Sequence, residues 1–584
     1  MKKIMFFALF LMLFIPLNIS AYSGIKYNNY SGLSPLSEIT ASEIDHSKAI
    51  FVSPAGDDTN SGSIDSPFKT VTKAISEAGD NYTIYLREGT YKEYININKS
   101  NITLRNYPGE TAKITAVDDI NIITNINISS GLSNVVIYGL NIEDRQEYED
   151  YSAYGIVLRG SSNNLIIQNN TFTNINGNET LKWSGSGYSA HALAIYGNTD
   201  SPVSNVLITD NNVHDIDCGR SEAIVLSGYV ENVDIIENNI KDIFNIGIDI
   251  AGLYDANPDS TKDYTRHVYI AGNKIENAVS DIKQNAGIYV DGGQDVLIER
   301  NYVTGCPYGI EVGVEQNEVG DSYNPSNLIV SSNLLVNNTH AELRIGASAT
   351  SDNPVVNSYV IYNTMIHPET AEDAAIILGE GHDNYIVNNV VVDNGTHNRM
   401  ITTDDGSTTA ELYNLYIQNN YMYHKRYAGS TTQYFKIANT RYTETDFQAL
   451  DNVIGNVIGQ EIELDDDYVV KVGTVLATCG LKNDLALTLR DYNGKLREEP
   501  INLGYIAINF KDETEEPEEQ VVPDEKENVT PSSDITPEEK NNTTKKEEEI
   551  KNPQTADNLW LYPIIFIIGL ALLSMASVNI RKQD

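Results

Sequence analysis

The sequence predicts an all-β protein, a right-handed parallel β-helix with an N-terminal cap, a disordered acidic spacer and a C-terminal transmembrane helix. Two recurring phrases carry the solenoid. The first is an apolar run followed by an Asn and then another apolar residue: LIIQNNTF at Leu165, VLITDNNV at Val206, VYIAGNKI at Val268, LIVSSNLL at Leu328, LYIQNNYM at Leu415. Its Asn residues (Asn170, Asn211, Asn238, Asn273, Asn301, Asn333, Asn363, Asn389 and Asn420) recur every 26 to 41 residues, roughly the 20 to 50 of solenoids and arrays. The second phrase is a small residue before an apolar pair: GIVL at Gly155, AIVL at Ala223, GIDI at Gly247, GIYV at Gly287, GIEV at Gly309, AIIL at Ala375. Short runs rich in Ile and Val, punctuated by Gly and Asn and free of a helical period, are strands. Right-handedness follows from the usual crossover between parallel strands. The repeated Asn reads as structural: a column of stacked amides satisfies backbone groups exposed at a sharp bend, and Asn tolerates the left-handed conformation.

Residues 1–21 read as an export signal, with Lys2 and Lys3 before an apolar core and Ser20-Ala21 as a small-residue cleavage site. Residues 22–47 form a polar, loose leader, and 48–115 an N-terminal cap with the first coils, including a short amphipathic helix at about Pro67–Ala78. The block from Ala49 to Gly109, carrying Val52, Gly56, Asp58, Asn60, Gly62, Pro67, Phe68, Gly89, Thr90, Tyr91, Pro108 and Gly109, resembles the N-terminal start of family 9 pectate lyases and other secreted β-helix proteins. That resemblance implies the fold; the same cap precedes several chemistries. Residues 116–450 are the β-helix and 451–510 its closing coils, where Asp491, Gly494, Arg497 and Gly504 resemble the C-terminal ending of β-helix enzymes. Cys218, Cys306 and Cys479 make no disulfide framework.

From 511 to 551 Glu, Pro, Asp, Lys, Thr and Asn dominate, the composition of a disordered spacer. Residues 552–584 then run from NPQTAD through an apolar stretch of roughly 20 residues, enough to span a bilayer, to Arg581-Lys582. The pattern resembles a Gram-positive sorting signal of the LPXTG kind, with Asn552, Pro553, Gln554, Thr555 and Ala556 as the matching residues. It implies a sortase, cleavage between Thr555 and Ala556, and a protein held on the outside of the wall; a plain membrane anchor is the alternative.

The chain has 81 acidic and 40 basic residues, a formal charge of −41. No basic stripe is present, which argues against nucleic acid. A polyanionic substrate would need bridging calcium or a local basic groove; a neutral glycan would not. No cofactor is required by any motif, and calcium could be held by Asp255, Asp259 and Asp263.

Aligning the second phrase of successive coils turns Ile224, Ile248, Ile288, Ile310 and Leu343 inward. Val225, Asp249, Tyr289, Glu311 and Arg344 then point outward in one column, with Asp291 two residues along. Coils stacked about 4.8 Å apart bring Asp291 and Glu311 toward the roughly 5–5.5 Å of retaining glycosidases, and Asp249 and Glu311 toward the roughly 6.5–9.5 Å of inverting ones. Arg344 would hold Glu311 ionised while crowding raises one carboxyl, the divergence an acid and a base require. The stretch from Gly287 to Gly313 resembles the site of β-helix glycosidases such as the β-xylosidases of that fold, which implies Asp291 as nucleophile or base and Glu311 as acid. Asp249, Tyr289 and Arg344 would support them. Trp183, Tyr188 and His191, on a long loop, would contact sugar. The expected function is a glycoside hydrolase acting on an extracellular polysaccharide. A lyase taking an α-proton with Arg344, Arg266, Lys283 or Arg300, or a wall-anchored glycan-binding adhesin, are the rivals.

Overall fold

The computed structural model describes residues 30–507 apart from 118–122, 147–151, 179–188, 283–284, 317–322, 348–352, 372, 397–398, 405–413, 430, 462–463, 466, 470–479, 481–489 and 498–501. Every coil contributes strands to parallel ladders. One sheet has fourteen strands, from Ala49–Val52 through Leu165-bearing Ser162–Gln168 to Val453–Ile454. The second sheet contains two further ladders, merged because Asn212–Gly228 and Asn239–Ala251 each run through both. The result is the parallel β-helix expected from the repeats.

The core lies inside the coils. Val206, Val233, Val268 and Val296 stack in register in the first sheet, and Ile224, Ile248, Ile288, Ile310 and Leu343 in the second, all buried. The small residue of the second phrase sits at a corner with no room for more. A Cβ on Gly247 would stand 2.6 Å from the Gly287 carbonyl oxygen of the next coil.

The Asn column is a continuous ladder. Asn301 is typical: its Oδ1 accepts from the Asn273 backbone N–H at 2.9 Å and amide at 3.0 Å, and its own amide donates to the Ile270 carbonyl at 3.0 Å and to Asn333 Oδ1 at 3.0 Å. The ladder runs from Asn170 to Asn420 and one coil further, to Asn456. The left-handed residue at this bend is not the ladder Asn but the residue before it, as at Asn169, Asp210, Arg300 and Tyr362. The ladder Asn is chosen for its amide, not for its φ.

The short helix Val71–Glu77 is capped by Thr70, whose side chain accepts from the Lys73 N–H, and it buries Val71, Ala74 and Ile75. The segment expected to be a loose leader is instead pinned from Tyr30 onward. Asp234 faces outward from its strand and collects the Tyr30 and Ser31 N–H groups and the Ser31 hydroxyl, while the Leu36 N–H donates to Gln168 at 2.7 Å. At the other end an antiparallel hairpin, Gln433–Ile437 with Thr440–Thr443, and the helix Glu444–Gln448 pack Phe435 on Phe447. The chain then returns along the flank: Arg497 lies over the Tyr362 ring and donates to Ser332 and the Gly504 carbonyl. Cys218 and Cys306 are buried free thiols. Among the described residues no helix is long and apolar enough to cross a membrane; the apolar run 559–578, the spacer and the sorting residues Asn552, Pro553, Gln554, Thr555 and Ala556 lie outside them.

Candidate functional site

The strand pairings put Val225, Asp249, Tyr289, Glu311 and Arg344 in one register column, and Asp291 two residues beyond Tyr289. These side chains face away from the core, yet they are not an open patch. Asp249, Tyr289, Asp291, Glu311 and Arg344 are all buried. Residues from two turns reach them. The turn from Leu253 to Thr265 is tied back by Asn257, whose amide donates to the Gly197 and Thr199 carbonyls at 2.7 and 3.0 Å. Its Tyr254 hydroxyl reaches in and donates to Asp291 Oδ2. The second turn begins at Val314; its Glu315 N–H donates to Asp291 Oδ1 at 2.9 Å, and Tyr323 packs on Tyr264 with ring centres 4.9 Å apart.

Beside these contacts a cleft of about 360 Å³ is lined by Asp249, Tyr289, Asp291 and His191, together with Glu222, Arg220, Tyr196, Tyr254 and Glu315. Burial, with Glu315 adding repulsion, pushes the Asp291 carboxyl up to about 7, although Tyr254 and the Glu315 N–H oppose the shift. A carboxyl in that state carries a proton it can give away near neutral pH. The Tyr289 hydroxyl is buried with no hydrogen-bond partner among the described residues.

His191 is not a loop residue. It lies on the strand Ala190–Gly197, buried and stacked on Tyr154 with ring centres 5.2 Å apart. Its Nδ1 is 2.9 Å from the Glu222 carbonyl, which can only accept, so Nδ1 carries the proton. Nε2 is left as an acceptor, 3.4 Å from the Tyr196 hydroxyl. Burial lowers the imidazole to about 4, so it is neutral at physiological pH. Trp183 and Tyr188, grouped with His191 in the sequence, lie outside the described residues.

Glu311 and Arg344 do not line the cleft. Arg344 Nη1 donates to Glu311 at 2.7 Å, and its Nε and Nη2 both donate to Asp404 at 3.1 and 2.6 Å. Burial outweighs the guanidinium and pushes Glu311 above the usual glutamate range, against the downward pull of Arg344. Glu311 is thus set apart from Asp249 and Asp291, paired with Arg344 outside the cleft they line.

The basic residues considered for proton abstraction are committed elsewhere. Arg266 is sandwiched over Tyr229 and Tyr264, and Arg300 lies 3.4 Å from Glu299 and 3.1 Å from the Tyr269 hydroxyl. Lys283 lies outside the described residues. Asp259 accepts from Thr261 and pairs with Lys262, and Asp263 accepts from the Asn257 N–H, so both serve the turn that holds them. Among the described residues no group of three or more His, Cys, Asp or Glu is placed to share a metal ion. Sequence reasoning missed Glu222, Tyr254 and Glu315. Tyr254 and Glu315 open the two long acidic turns, which was the available signal. Glu222 follows an irregularity between Asp217 and Glu222 that breaks the strand register.

Residues 50–211 match a family described as Pel9A-like, right-handed β-helix region. The match ends before Glu222, so Asp249, Asp291 and Glu315 lie beyond it. Uncharacterized protein YwoF of Bacillus subtilis (strain 168) is 28% identical over 336 residues, 55% of this chain and 69% of that protein. Pectate lyase PEL9 of Emericella nidulans is 32% identical over 164 residues, 26% of this chain and 40% of that protein. The solved structure of a lacto-N-biosidase from Eubacterium ramulus is 13% identical with a TM-score of 0.44, covering 71% of this chain and 68% of that one. The first coils of this chain therefore carry the sequence pattern of a pectate-lyase-like β-helix.

Proposed function

We propose that the protein is a glycoside hydrolase acting on an extracellular polysaccharide, with Asp291 as the acid and Asp249 as the second carboxylate. The observation that carries this reading is the cleft itself: two carboxyl groups from neighbouring coils, Asp249 and Asp291, share one covered hollow, and Asp291 is held protonated to about pH 7. Asp291 gives its proton to the glycosidic oxygen as the C–O bond breaks. Asp249 faces the cationic sugar ring and, as the carboxylate, serves as nucleophile or as base for water. Tyr289 and the neutral His191 offer hydrogen bonds to sugar hydroxyls, and Tyr196 and Tyr254 offer aromatic surface. Glu311, assigned as the acid on sequence grounds, becomes a structural partner of Arg344. The pectate-lyase-like first coils support a polysaccharide as the substrate class. The export signal, spacer and sorting pattern support a place on the outside of a Gram-positive wall, reached through the membrane and a sortase.

The same first coils favour a lyase on a uronate polymer as the second reading. That chemistry needs positive charge facing the uronate carboxylate, whereas the cleft presents Glu222, Asp249, Asp291 and Glu315 against Arg220. Carboxylates are the donors calcium takes, yet among the described residues no three of them converge on one point.

The test is to incubate the purified protein with neutral and uronate polysaccharides, with and without a calcium chelator, and read new reducing ends beside unsaturated-uronate absorbance. Reducing ends without unsaturation, unchanged by chelation and lost in Asp291→Asn, support the hydrolase. Unsaturation that survives Asp291→Asn overturns it. Binding without any cleavage would make the protein an adhesin.

A further inference from the structure

The strand Asn212–Gly228 leaves its register just before the cleft. Asp217 pairs with Phe244 and Glu222 with Ile246, so Cys218, Gly219, Arg220 and Ser221 stand opposite the single residue Asn245. A bulge of this kind re-aims the side chains beside it. Two hydrogen bonds hold it: the Asn245 amide donates to the Ser221 carbonyl at 2.8 Å, and the Gly219 N–H donates to Asp217 at 3.0 Å. Gly219 takes a left-handed φ of 65°. The bulge delivers Arg220, Ser221 and Glu222 to the cleft lining, just before the corner at Ala223. Asp249 and Asp291 enter the same lining after the matching corners at Gly247 and Gly287. Glu222 therefore approaches a ligand from across the corner.

The lining is rich in acceptors and poor in positive charge. Among the described residues that form it, Glu222, Asp249, Asp291 and Glu315 bear carboxyl groups, and Arg220 is the one guanidinium or ammonium. Protonation of Asp291 still leaves three carboxyl groups against that guanidinium. His191 adds an acceptor, its Nε2, and no charge near neutral pH. Tyr289, in the same lining, is 3% exposed, and its hydroxyl has no hydrogen-bond partner among the described residues. A polar group so placed is completed by a ligand. An ammonium brings three donors, no acceptor and a positive charge, the complement of this lining; a uronate brings the opposite. The charge of −41 on the whole chain attracts any cation loosely. The cleft adds enclosure and the rings of Tyr196 and Tyr254, which suit the apolar face of a sugar.

We infer that the cleft selects a glycan bearing a free amino group, with Glu222 as the residue that holds the ammonium of the amino sugar. The inference deepens the hydrolase reading and rests on it for cleavage; selection of the amine stands apart from bond breaking, which stays with Asp249 and Asp291. Uncharged relatives of the same glycan enter the cleft with lower affinity.

The test uses a β-1,4-linked glucosamine trisaccharide in three forms: with free amines, with the amines acetylated, and with hydroxyls in their place. Trilysine and trigalacturonate are run beside them. Calorimetric binding is measured on the full chain carrying Asp291→Asn, which holds substrate uncleaved, at about pH 6, where an amine is charged. Products are sized for the wild type. Amine selection predicts that the free-amine form binds about tenfold tighter than either uncharged form and tighter than trilysine. Glu222→Gln, added to Asp291→Asn, should cut that preference to about threefold or less, whereas Glu88→Gln, an exposed change on the N-terminal cap, leaves it intact. Selective binding of the amine with no form cleaved would sink the hydrolase and leave the amine site standing. Cleavage of the uncharged forms with no preference for the amine would overturn the inference and leave the hydrolase. A preference unchanged in Glu222→Gln, or tighter binding of trilysine or trigalacturonate, also overturns it.

Discussion

Replacing Asp291 by Asn should abolish hydrolysis and make the protein more stable at alkaline pH. In the folded chain the carboxyl is shifted from its ordinary value of 3.8 up to about 7 by burial and by Glu315. Between those values the folded state binds more protons than the unfolded one, so stability falls as pH rises through the window, and the loss is complete above pH 7. The full shift corresponds to about 4 kcal/mol at about 1.4 kcal/mol per unit. From pH 5 to pH 8 the wild type should therefore lose about 2–3 kcal/mol through this one group, while Asp291→Asn, which does not titrate, keeps it. The amide keeps only one of the two oxygens that accept from Tyr254 and the Glu315 N–H, and losing the other is a cost present even when Asp291 is uncharged. It moves the baseline without removing the slope. The assay is urea denaturation of both proteins at pH 5 and pH 8, taking the difference of differences. A variant whose stability relative to wild type is the same at both pH values would refute the buried, proton-holding Asp291.

Further expectations follow from neighbouring groups. Tyr254→Phe removes a hydrogen bond that favours the Asp291 carboxylate, so it should raise that pKa by about 1 unit and move the alkaline limb of the rate profile upward; a downward shift would contradict the contact. His191 is held neutral by burial, lowered to about 4, so the wild type should lose stability as pH falls from about 6.5 to 4, and His191→Gln should flatten that loss in denaturation scans. Asn301→Ala strips partners from Asn273, Ile270 and Asn333 inside the ladder and should cost about 3 kcal/mol, while the same change at Asn456, the end of the ladder, should cost less by the same unfolding measurement. Arg344→Met alone leaves Glu311 buried without its cation, a loss of about 3–5 kcal/mol that acid pH should lessen and Glu311→Gln should rescue.

Much of this was legible in the chain because a solenoid converts repeats directly into neighbours. Once Ile248, Ile288 and Ile310 are read as inward, Asp249, Tyr289 and Glu311 must share a column, and they do. The Asn ladder was legible for a similar reason, since an amide that recurs at one bend has partners one coil away in both directions. What the repeats could not convey is what lies outside them. The turns from Leu253 and from Val314 interrupt the repeat, so the contacts of Tyr254 and Glu315 with Asp291, and the burial that raises its pKa, left no periodic trace. Exposure was therefore misjudged for the whole column, and the pairing with Arg344 outside the cleft that sets Glu311 apart left no trace either. The same applies to His191, whose long preceding segment suggested a loop although its own residues, AHALAIYG, form a buried strand. Asp234 shows the limit in miniature: nothing local reveals that its carboxylate holds Tyr30 and Ser31.

The central claim is that Asp249 and Asp291 together cleave a glycosidic bond in this cleft. Its most direct test is the rate of reducing-end release from a neutral glycan substrate by wild type, Asp249→Asn, Asp291→Asn and Glu311→Gln, all shown folded by circular dichroism. The account predicts a loss of at least about a hundredfold in each Asp variant and a much smaller effect in Glu311→Gln. Full activity in either Asp variant, or activity lost only in Glu311→Gln, would contradict it.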